Sequence, residues 1–293
     1  MASTFRLDVA VATSQPSRLR LLRLEPRLIA GGAGLAVIVV SAVFAPLLAP
    51  YNPLQLHVPE RLQGPSHTYL LGTDYLGRDM LSRLMYGLRP TLLAGLVAIA
   101  LAAIFGILMG VVSGFFGRWV DAIISRVLDL ILAWPAIFLA LAIVLLLGPG
   151  ETDVVLAIGL AELPVFARLV RAITLANVNR EHVVAARSMG ASAPRLIGRH
   201  IFPFALAPLV VQFAISAPQA ALAEASLNYL GLGTQPPKPS LGAMLAEAQS
   251  YISYSATGVI FPVLVIAVLV LSLTLIADAL QDGILSPRPR GSL

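Results

Sequence analysis

Apolar residues fall along this chain in long blocks that are separated by shorter polar stretches. Each block holds about 20 residues, which as an α-helix rising about 1.5 Å per residue spans about 30 Å of hydrocarbon. A buried helix of a soluble protein needs no block of that length. The pattern predicts an all-α integral membrane fold with six transmembrane helices, at about residues 28–48, 91–112, 122–147, 154–170, 204–223 and 259–280.

Two of these blocks allow another interpretation. The fourth is interrupted by Glu162, Pro164 and Arg168, so a re-entrant segment is the alternative to a full span. The first could be the apolar core of a cleaved signal peptide. Its length of about 20 residues exceeds the roughly 7–15 of such a core, which favours a retained helix.

The basic residues predict the orientation of the spans. Fifteen of the 20 Lys and Arg residues fall in the two tails, in the second and fourth connections, or beside them. Because cytoplasmic loops are enriched in Lys and Arg, these segments are predicted to be cytoplasmic. We therefore expect a cytoplasmic tail at 1–27, a transmembrane domain at 28–280 and a cytoplasmic tail at 281–293.

Composition agrees with a membrane protein, since 58% of residues are hydrophobic and only 12% are charged, against about 25% charged in soluble domains. The net charge of +5 comes from basic residues beside the spans, where they set topology and meet lipid headgroups. We therefore expect a lipid bilayer and no nucleic acid as partner. The absence of cysteine excludes disulfides and thiolate metal sites.

Three connections are longer than turns: an outer loop at 49–89, a cytoplasmic loop at 171–203 and an outer loop at 226–258. Long connections in a compact protein are typically functional or disordered. In the cytoplasmic loop, Gly190 is predicted to end a short helix, and Ser192 to cap a second helix that ends near Pro203. Ala185, Ala186 and Met189 would give the first helix a small, weakly apolar patch. The alternative is an amphipathic helix that rests on the lipid surface.

The cytoplasmic loop resembles the Glu-Ala-Ala loop of ABC importer permeases, in which a Gly follows after three residues and an Ile-x-Leu-Pro after nine more. This chain departs from that pattern at three positions, where Val184 replaces the Glu, His200 the Ile and Phe202 the Leu. The loss of the Glu removes one possible ionic contact with an ATPase. The resemblance assigns ATPase coupling to Val184, Ala185, Ala186, Arg187, Gly190, Ala191, Ser192, Arg195 and Pro203.

Three further stretches resemble the oligopeptide, dipeptide and nickel permease family. They are residues 71–79, the segment from Asp129 to Pro135, and residues 224–240. Leu241 stands where the family often has Trp. The resemblance implies contact with a solute-binding protein, or a place in the cargo path, for Asp74, Gly77, Arg78, Asp79, Glu224, Gly231, Gly233, Gln235, Pro236 and Pro237.

The resemblance implies a MetI-like permease fold in a prokaryotic inner membrane. The implied partners are a second homologous permease, two ATP-binding subunits and an extracytoplasmic solute-binding protein. Di- or oligopeptides are the expected cargo, with nickel, haem or another small solute as alternatives. A stand-alone channel or secondary carrier is the alternative from a different class.

We expect no catalytic activity from this chain itself. A phosphate-binding loop needs a Gly-Lys-Ser/Thr ending, and the only lysine is Lys238, between two prolines. We therefore predict no catalytic or metal site and no bound cofactor, with ATP and Mg²⁺ held by partner subunits.

Charged groups within the spans need an explanation, because ionised groups inside a membrane are costly. Asp129, Glu162, Glu224 and Asp278 could line a polar path or be paired with neighbours. For Asp129 the favoured partner is Arg126, one helical turn away. Small residues at a spacing of four let helices approach closely, which predicts helix packing at Gly106, Gly110 and Gly114.

Overall fold

The computed structural model describes residues 25–285, and within that range the chain is helical, with an isolated bridge between Thr73 and Asp79 as the one β-type pairing. The helices are α1 (Pro26–Val43), α2 (Ala45–Leu48), α3 (Met80–Phe116), α4 (Arg118–Leu132), α5 (Ala136–Leu147), α6 (Glu151–Asn177), α7 (Glu181–Ser188), α8 (Ala193–Arg195), α9 (Pro203–Tyr229), α10 (Leu241–Gln249) and α11 (Thr257–Leu285). A 3₁₀ turn lies at Val58–Glu60 and a π-helical turn at Leu196–Ile201.

Four helices, α1, α3, α9 and α11, are long and apolar enough to cross a membrane. Many of their apolar side chains are exposed, as lipid-facing residues would be; Val37 and Leu93, for example, are more than 60% exposed. The predicted tails lie largely outside the described residues. The described chain begins just before α1, and α11 continues to Leu285, five residues beyond the predicted end of the sixth span.

The prediction of one continuous third span at 122–147 is wrong. The structure has two helices there, α4 and α5, which meet at an angle of 91°. The break falls at Ala133–Pro135, because Pro135 has no N–H to donate and disfavours helical geometry in Trp134 before it. Taken together, the bent pair would be a fifth candidate span, whereas α6 is not a candidate because it carries too many charged residues.

The most extensive helix contact in the described chain is that between α3 and α6, and glycines allow its close packing. A Cβ on Gly106 would lie 2.6 Å from Cβ of Phe166, and one on Gly110 would lie 2.5 Å from the backbone oxygen of Ala167. A Cβ on Gly114 would meet the side chain of Thr174 at 2.7 Å. The expected close packing at the three glycines is confirmed.

The same contacts give the direction of the two helices. Positions 106, 110 and 114 of α3 meet positions near 166, 170 and 174 of α6, so numbers rise together and the helices are parallel. Parallel neighbours require the chain between them to return to the starting end. The segment formed by α4 and α5 makes this return, even though neither helix alone has the length of a span.

The remaining long helices run antiparallel to their neighbours. The N–H of Gly150, before α6, donates to the carbonyl of Leu232, after α9, at 3.0 Å. In the middle of the same pair, the hydroxyl of Ser216 donates to Glu162 Oε2 at 2.9 Å. On the other side of the bundle, Gly31 of α1 lies directly against the backbone of Ser272 in α11.

Candidate functional site

The segment between α6 and α9 contains a short helix, α7, which is followed at Gly190 by a left-handed turn. The N–H of Gly190 donates to Arg187 O at 3.0 Å, and the N–H of Ala191 donates to Ala186 O at 3.1 Å. These two bonds form a Schellman motif, in which the residue after the helix takes a positive φ. Gly190 has φ +84°, a conformation that residues with a Cβ rarely adopt. The predicted helix end at Gly190 is confirmed.

One side of α7 is anchored to the bundle. Val183 and Ala186 are buried and pack against Leu196 and Ile201 of the π-helical turn, and Phe115 at the end of α3 packs against the same cluster. The guanidinium of Arg187 lies over the Phe115 ring, 5.7 Å from its centroid. Side-chain packing therefore joins α7 to the end of α3 and to the π-helical turn that precedes α9.

The other side of α7 faces outward. Val184 and Met189 are 45% and 82% exposed, and Ala185, Arg187 and Ser188 are also exposed. The expected small apolar patch needs one correction, because Ala186 is only 6% exposed and belongs to the anchored side. The outward surface consists instead of Val184, Ala185, Arg187, Ser188 and Met189, and we call it the α7 surface.

The segment after Gly190 differs in part from the prediction. Ser192 occupies the N-cap position of α8, but its side chain makes no capping hydrogen bond. The predicted second helix does not end near Pro203. It continues through the π-helical turn, and Pro203 is the first residue of α9. Arg195 and Arg199 are exposed on this segment.

The first outer loop is held by a buried ion network centred on Asp74. Its Oδ2 accepts from Arg78 Nε at 2.6 Å and also from Arg83 Nη1, and its Oδ1 accepts from the N–H groups of Leu76 and Arg78. Glu247 of α10 accepts from Arg83 at 2.9 Å and from Arg78 at 3.0 Å. The network joins the outer loop, the start of α3 and α10.

The other predicted residues of this loop are also engaged within the chain. Asp79 caps α3 by accepting from the N–H of Ser82 at 2.8 Å and from its hydroxyl at 2.6 Å. A Cβ on Gly77 would collide with the backbone oxygen of His57 at 1.9 Å. Asp74, Arg78 and Asp79 are each no more than 6% exposed, so their first role is to hold the loop. Their contact with a binding protein stays a prediction.

The second outer loop is organised by Asn228. Its amide Nδ2 donates to Glu224 Oε1 at 2.5 Å, and its Oδ1 accepts from the N–H of Thr234 at 2.6 Å. A Cβ on Gly233 would lie 2.5 Å from that same Oδ1, so the absence of a side chain at 233 permits the contact. Glu224 is buried at 1% exposure, which places it inside the bundle rather than on its outer surface.

The other predicted residues of the second outer loop lie in the segment that directly follows α9. Gly231 ends α9 in a second Schellman motif, with a bond of 3.0 Å from the N–H of Leu232 to Leu227 O. The amide of Gln235 donates to the carbonyls of Gly231 and Gly233. The exposed stretch at residues 235–237 includes a cis peptide bond between Pro236 and Pro237.

Two charged residues of α4 pair with α6. Asp129 forms an ion pair with Arg168 at 2.6 Å, so the prediction that Asp129 pairs with Arg126 is wrong. Asp121 accepts from Arg171 Nε and Nη2 at 2.5 and 2.6 Å.

The sequence did not predict the pair of Asp121 with Arg171, nor the contacts of Glu247 and Asn228. Asn228 lies four residues after Glu224, a spacing that could have predicted their contact.

The residues that the structure describes contain no group of His, Cys, Asp and Glu that could hold a metal ion. What the described chain does contain is a membrane-spanning bundle with an anchored, outward-facing helix at one end and two internally braced loops at the other.

Comparison with known proteins defines the class. Residues 102–291 match the family model described as binding-protein-dependent transport system inner membrane component. Residues 19–65 match the model of the N-terminal TM domain of oligopeptide transport permease C. The chain belongs to the family of binding-protein-dependent transport system inner membrane components, as the loop motif suggested.

Named relatives cover most of the chain. It is 40% identical, over 84% of its length and 81% of the relative, to the dipeptide transport system permease protein DppC of Alkalihalophilus pseudofirmus. It is 39% identical, over 87% of its length and 86% of the relative, to the glutathione transport system permease protein GsiD of Pectobacterium atrosepticum.

A solved structure supports the fold. The inward-facing MetNI methionine ABC transporter matches with a TM-score of 0.56 and 21% identity, over 68% of this chain and 94% of that chain. The expected MetI-like fold is therefore confirmed.

Proposed function

We propose that this chain is the transmembrane permease subunit of an ATP-driven, binding-protein-dependent importer of di- or oligopeptides in a prokaryotic inner membrane. The family and the relatives named for dipeptide and glutathione transport support this proposal. ATP and Mg²⁺ would be held by two separate ATP-binding subunits. A second, homologous permease would complete the cargo path.

The observation that carries the proposal is the two-sided construction of α7. Its α7 surface is exposed, while Val183 and Ala186 on its other side are fixed to α3 and to the π-helical turn before α9. A helix that is free on one side and packed on the other can receive a movement and pass it to two membrane helices. The ATPase would dock on the α7 surface by shape and through Arg187, Arg195 and Arg199, since Val184 supplies no carboxylate.

We further propose six membrane crossings with both termini in the cytoplasm. The crossings would be α1, α3, the bent α4–α5 pair, α6, α9 and α11. The parallel direction of α3 and α6 supports a crossing by the bent pair between them. The excess of Lys and Arg in the tails, beside α4 and around α7 supports the orientation.

On the outer side, we propose that the two braced loops receive the solute-binding protein. The ion network around Asp74 would hold the first loop in shape. The exposed segment at residues 235–237 of the second loop would make contact. The alternative cargo is nickel, haem or another small solute, which would use the same machinery. Uptake measured with each solute in turn identifies the cargo.

The test uses substitutions at Gly190. Because φ is +84° there, Gly190→Val would cost more than the roughly 1–2 kcal/mol of an ordinary left-handed residue and would distort the end of α7. Gly190→Asn should be tolerated, since Asn adopts this conformation more readily. Gly198→Val is the matched control, because Gly198 is exposed, has an ordinary φ and a Cβ there meets nothing within 4 Å.

We expect Gly190→Val to reduce ATPase binding and ATP-dependent peptide uptake in vesicles at least tenfold, and Gly190→Asn and Gly198→Val to retain both. Equal assembly and uptake for Gly190→Val would disprove coupling through α7. Peptide uptake by the isolated chain without the ATPase would favour a channel or secondary carrier instead.

A further inference from the structure

An open groove runs between α9 and α11 on the surface of the bundle. It contains about 690 Å³ of space, part of it continuous with the exterior. Apolar side chains form some of its walls, as expected for membrane helices. The rest of the wall is formed by four polar side chains, those of Gln219, Thr274, Asp278 and Gln281.

The groove lies within the membrane-spanning length of both helices. Gln219 is 16 residues after the first residue of α9, which is about 24 Å along the helix. Thr274 is 11 residues before the end of α11, or about 16 Å. Gln219 and Thr274 therefore lie at the depth of the hydrocarbon, whereas Asp278 and Gln281, about 10 and 6 Å before the end of α11, lie nearer its boundary.

These polar groups are poorly suited to face lipid. Gln219, Asp278 and Gln281 are exposed on the surface of this chain, and a charged side chain that faces hydrocarbon is costly. Asp278 has no salt-bridge partner among residues 25–285 that would reduce this cost. Polar residues in membrane helices face a protein interior or a water-filled cavity.

The backbone of α9 adds a further polar group beside Gln219. Pro218 lies inside α9 and has no N–H, so the carbonyl of Ala214 lacks its usual helical donor. One and two turns before Gln219, Ser216 and Gln212 continue a line of polar residues towards α6, outside the groove itself. Gln212 donates to Ser216 at 3.2 Å, and Ser216 donates to Glu162. Polar groups therefore run along α9 for about 10 Å.

We propose that the α9–α11 groove is the wall that this chain contributes to an aqueous cargo path, and that its side chains bind the ammonium and amide N–H groups of a short peptide. This inference rests on the proposed import function. The four polar side chains provide acceptor oxygens and one negative charge, and none of them is basic. The Oγ1 of Thr274 donates to the carbonyl of Val270 at 2.8 Å, which leaves its lone pairs free to accept.

The first experiment measures access of water to the groove. The chain has no cysteine, so single cysteines can be placed by Gln219→Cys and Thr274→Cys. Leu271→Cys is the matched control, because Leu271 lies one turn from Thr274 in α11, is 59% exposed and does not line the groove. The probe is a charged, membrane-impermeant thiol reagent, applied to the full transporter in lipid vesicles, with all other subunits free of cysteine.

We expect the thiols at 219 and 274 to react at least tenfold faster than the thiol at 271. Reaction of all three at the slow rate of the control would overturn the inference, because lipid or packed protein would then fill the groove. Thr274→Cys is nearly isosteric, so it keeps the test valid if Gln219→Cys fails to assemble.

The second experiment measures cargo handling with Asp278→Asn and with Asp278→Glu as the conservative control. We expect Asp278→Asn to reduce dipeptide uptake per ATP hydrolysed about tenfold, and Asp278→Glu to restore most of it. Unchanged uptake per ATP in Asp278→Asn would disprove the binding role. If the wild-type transporter shows no ATP-dependent peptide uptake, the proposed function fails, whereas the labelling pattern still reports on the groove.

Discussion

Asp121 of α4 accepts two hydrogen bonds from Arg171 of α6, from Nε at 2.5 Å and from Nη2 at 2.6 Å. The hydroxyl of Ser113, near the end of α3, donates to the same carboxylate. The three helices therefore meet at one charged group. This contact fixes α4 beside the C-terminal ends of α3 and α6, where the sequence pattern alone placed part of a straight span.

The Asp121–Arg171 pair should matter more for stability than the Asp129–Arg168 pair. Both link α4 to α6, but the side chains of the first are 20% and 33% exposed and those of the second are more than 50% exposed. A two-point contact of this kind is stronger than a single exposed one. We expect a coupling energy of about 1 kcal/mol for the first pair and a value near zero for the second, from double-mutant cycles on thermal unfolding in detergent.

In those cycles the substitutions are Asp121→Asn with Arg171→Lys, and Asp129→Asn with Arg168→Lys. Lysine keeps the charge but cannot form the two-point contact. Equal coupling energies for the two pairs would contradict this account of how α4 is held.

The glycine stripe of α3 gives a second prediction. A methyl group at position 110 would meet the backbone of α6, at 2.5 Å from Ala167 O and 3.0 Å from Arg171 N. Because backbone atoms cannot move aside singly, we expect Gly110→Ala to destabilise the bundle by about 1–3 kcal/mol. Thermal unfolding of the purified protein measures this.

Gly32 of α1 is the control for that measurement. It also lies in a membrane helix, but a Cβ there meets nothing within 4 Å. Since Ala favours helix more than Gly, Gly32→Ala should be neutral or slightly stabilising. A loss of stability as large in Gly32→Ala as in Gly110→Ala would show that close packing is not the cause.

How well the sequence predicted each feature depends on how far apart in the chain the residues that determine it lie. The helix end at Gly190 and the small-residue spacing at Gly106 to Gly114 are local, and both predictions were correct. One of the two partners of Arg83, Glu247, lies 164 residues away, so this contact depends on which helices are neighbours. The 91° break at Pro135 had a local signal, but the strong hydropathy on both sides of the proline concealed it.

Asp129 shows the same contrast between residues that are near in sequence and residues that are near in space. A charge one helical turn away, on Arg126, was the nearest candidate in sequence, but the structure supplies Arg168 from a neighbouring helix. Burial also changed the interpretation of the outer loop. Its charged residues suggested a contact surface, whereas in the fold Asp74 and Arg78 satisfy one another inside it.

The buried network of the outer loop gives a third prediction. Arg83 and Asp74 are 2% and 6% exposed, and removing one partner of a buried ion pair leaves an uncompensated charge that costs about 3–5 kcal/mol. We expect Asp74→Ala to lower the unfolding temperature markedly and to make residues 60–80 more sensitive to protease. Lys238→Ala is the control.

Lys238 also forms an ion pair in the outer region, with Glu151 at 3.2 Å, but the two side chains are 69% and 46% exposed. Exposed pairs of this kind contribute about 0–1 kcal/mol. A similar loss of stability in both variants would argue against the buried network as the brace of the loop.

The contact between Tyr69 and Glu60 predicts a dependence of stability on high pH. The Tyr69 hydroxyl donates to Glu60 Oε2, and this hydrogen bond, followed by burial, raises the pKa of Tyr69 from 10.0 to about 12. In the unfolded chain the tyrosine ionises at its ordinary pKa. The contribution of Tyr69 to stability is therefore complete below pH 10 and is lost as the pH rises towards 12.

We expect wild-type protein to be more stable than Tyr69→Phe by a constant amount between pH 7 and about 9.5, and the difference to shrink between about 10 and 12. Thermal unfolding of the two proteins at each pH measures it, and the comparison removes the ionisation of all other groups. Glu60→Gln provides the control, because without the carboxylate the pKa of Tyr69 should fall towards its ordinary value, so that the contribution of Tyr69 to stability should shrink less above pH 10 and level off at a lower pH. A difference between wild type and Tyr69→Phe that stays constant up to pH 12 would rule out this hydrogen bond as the cause.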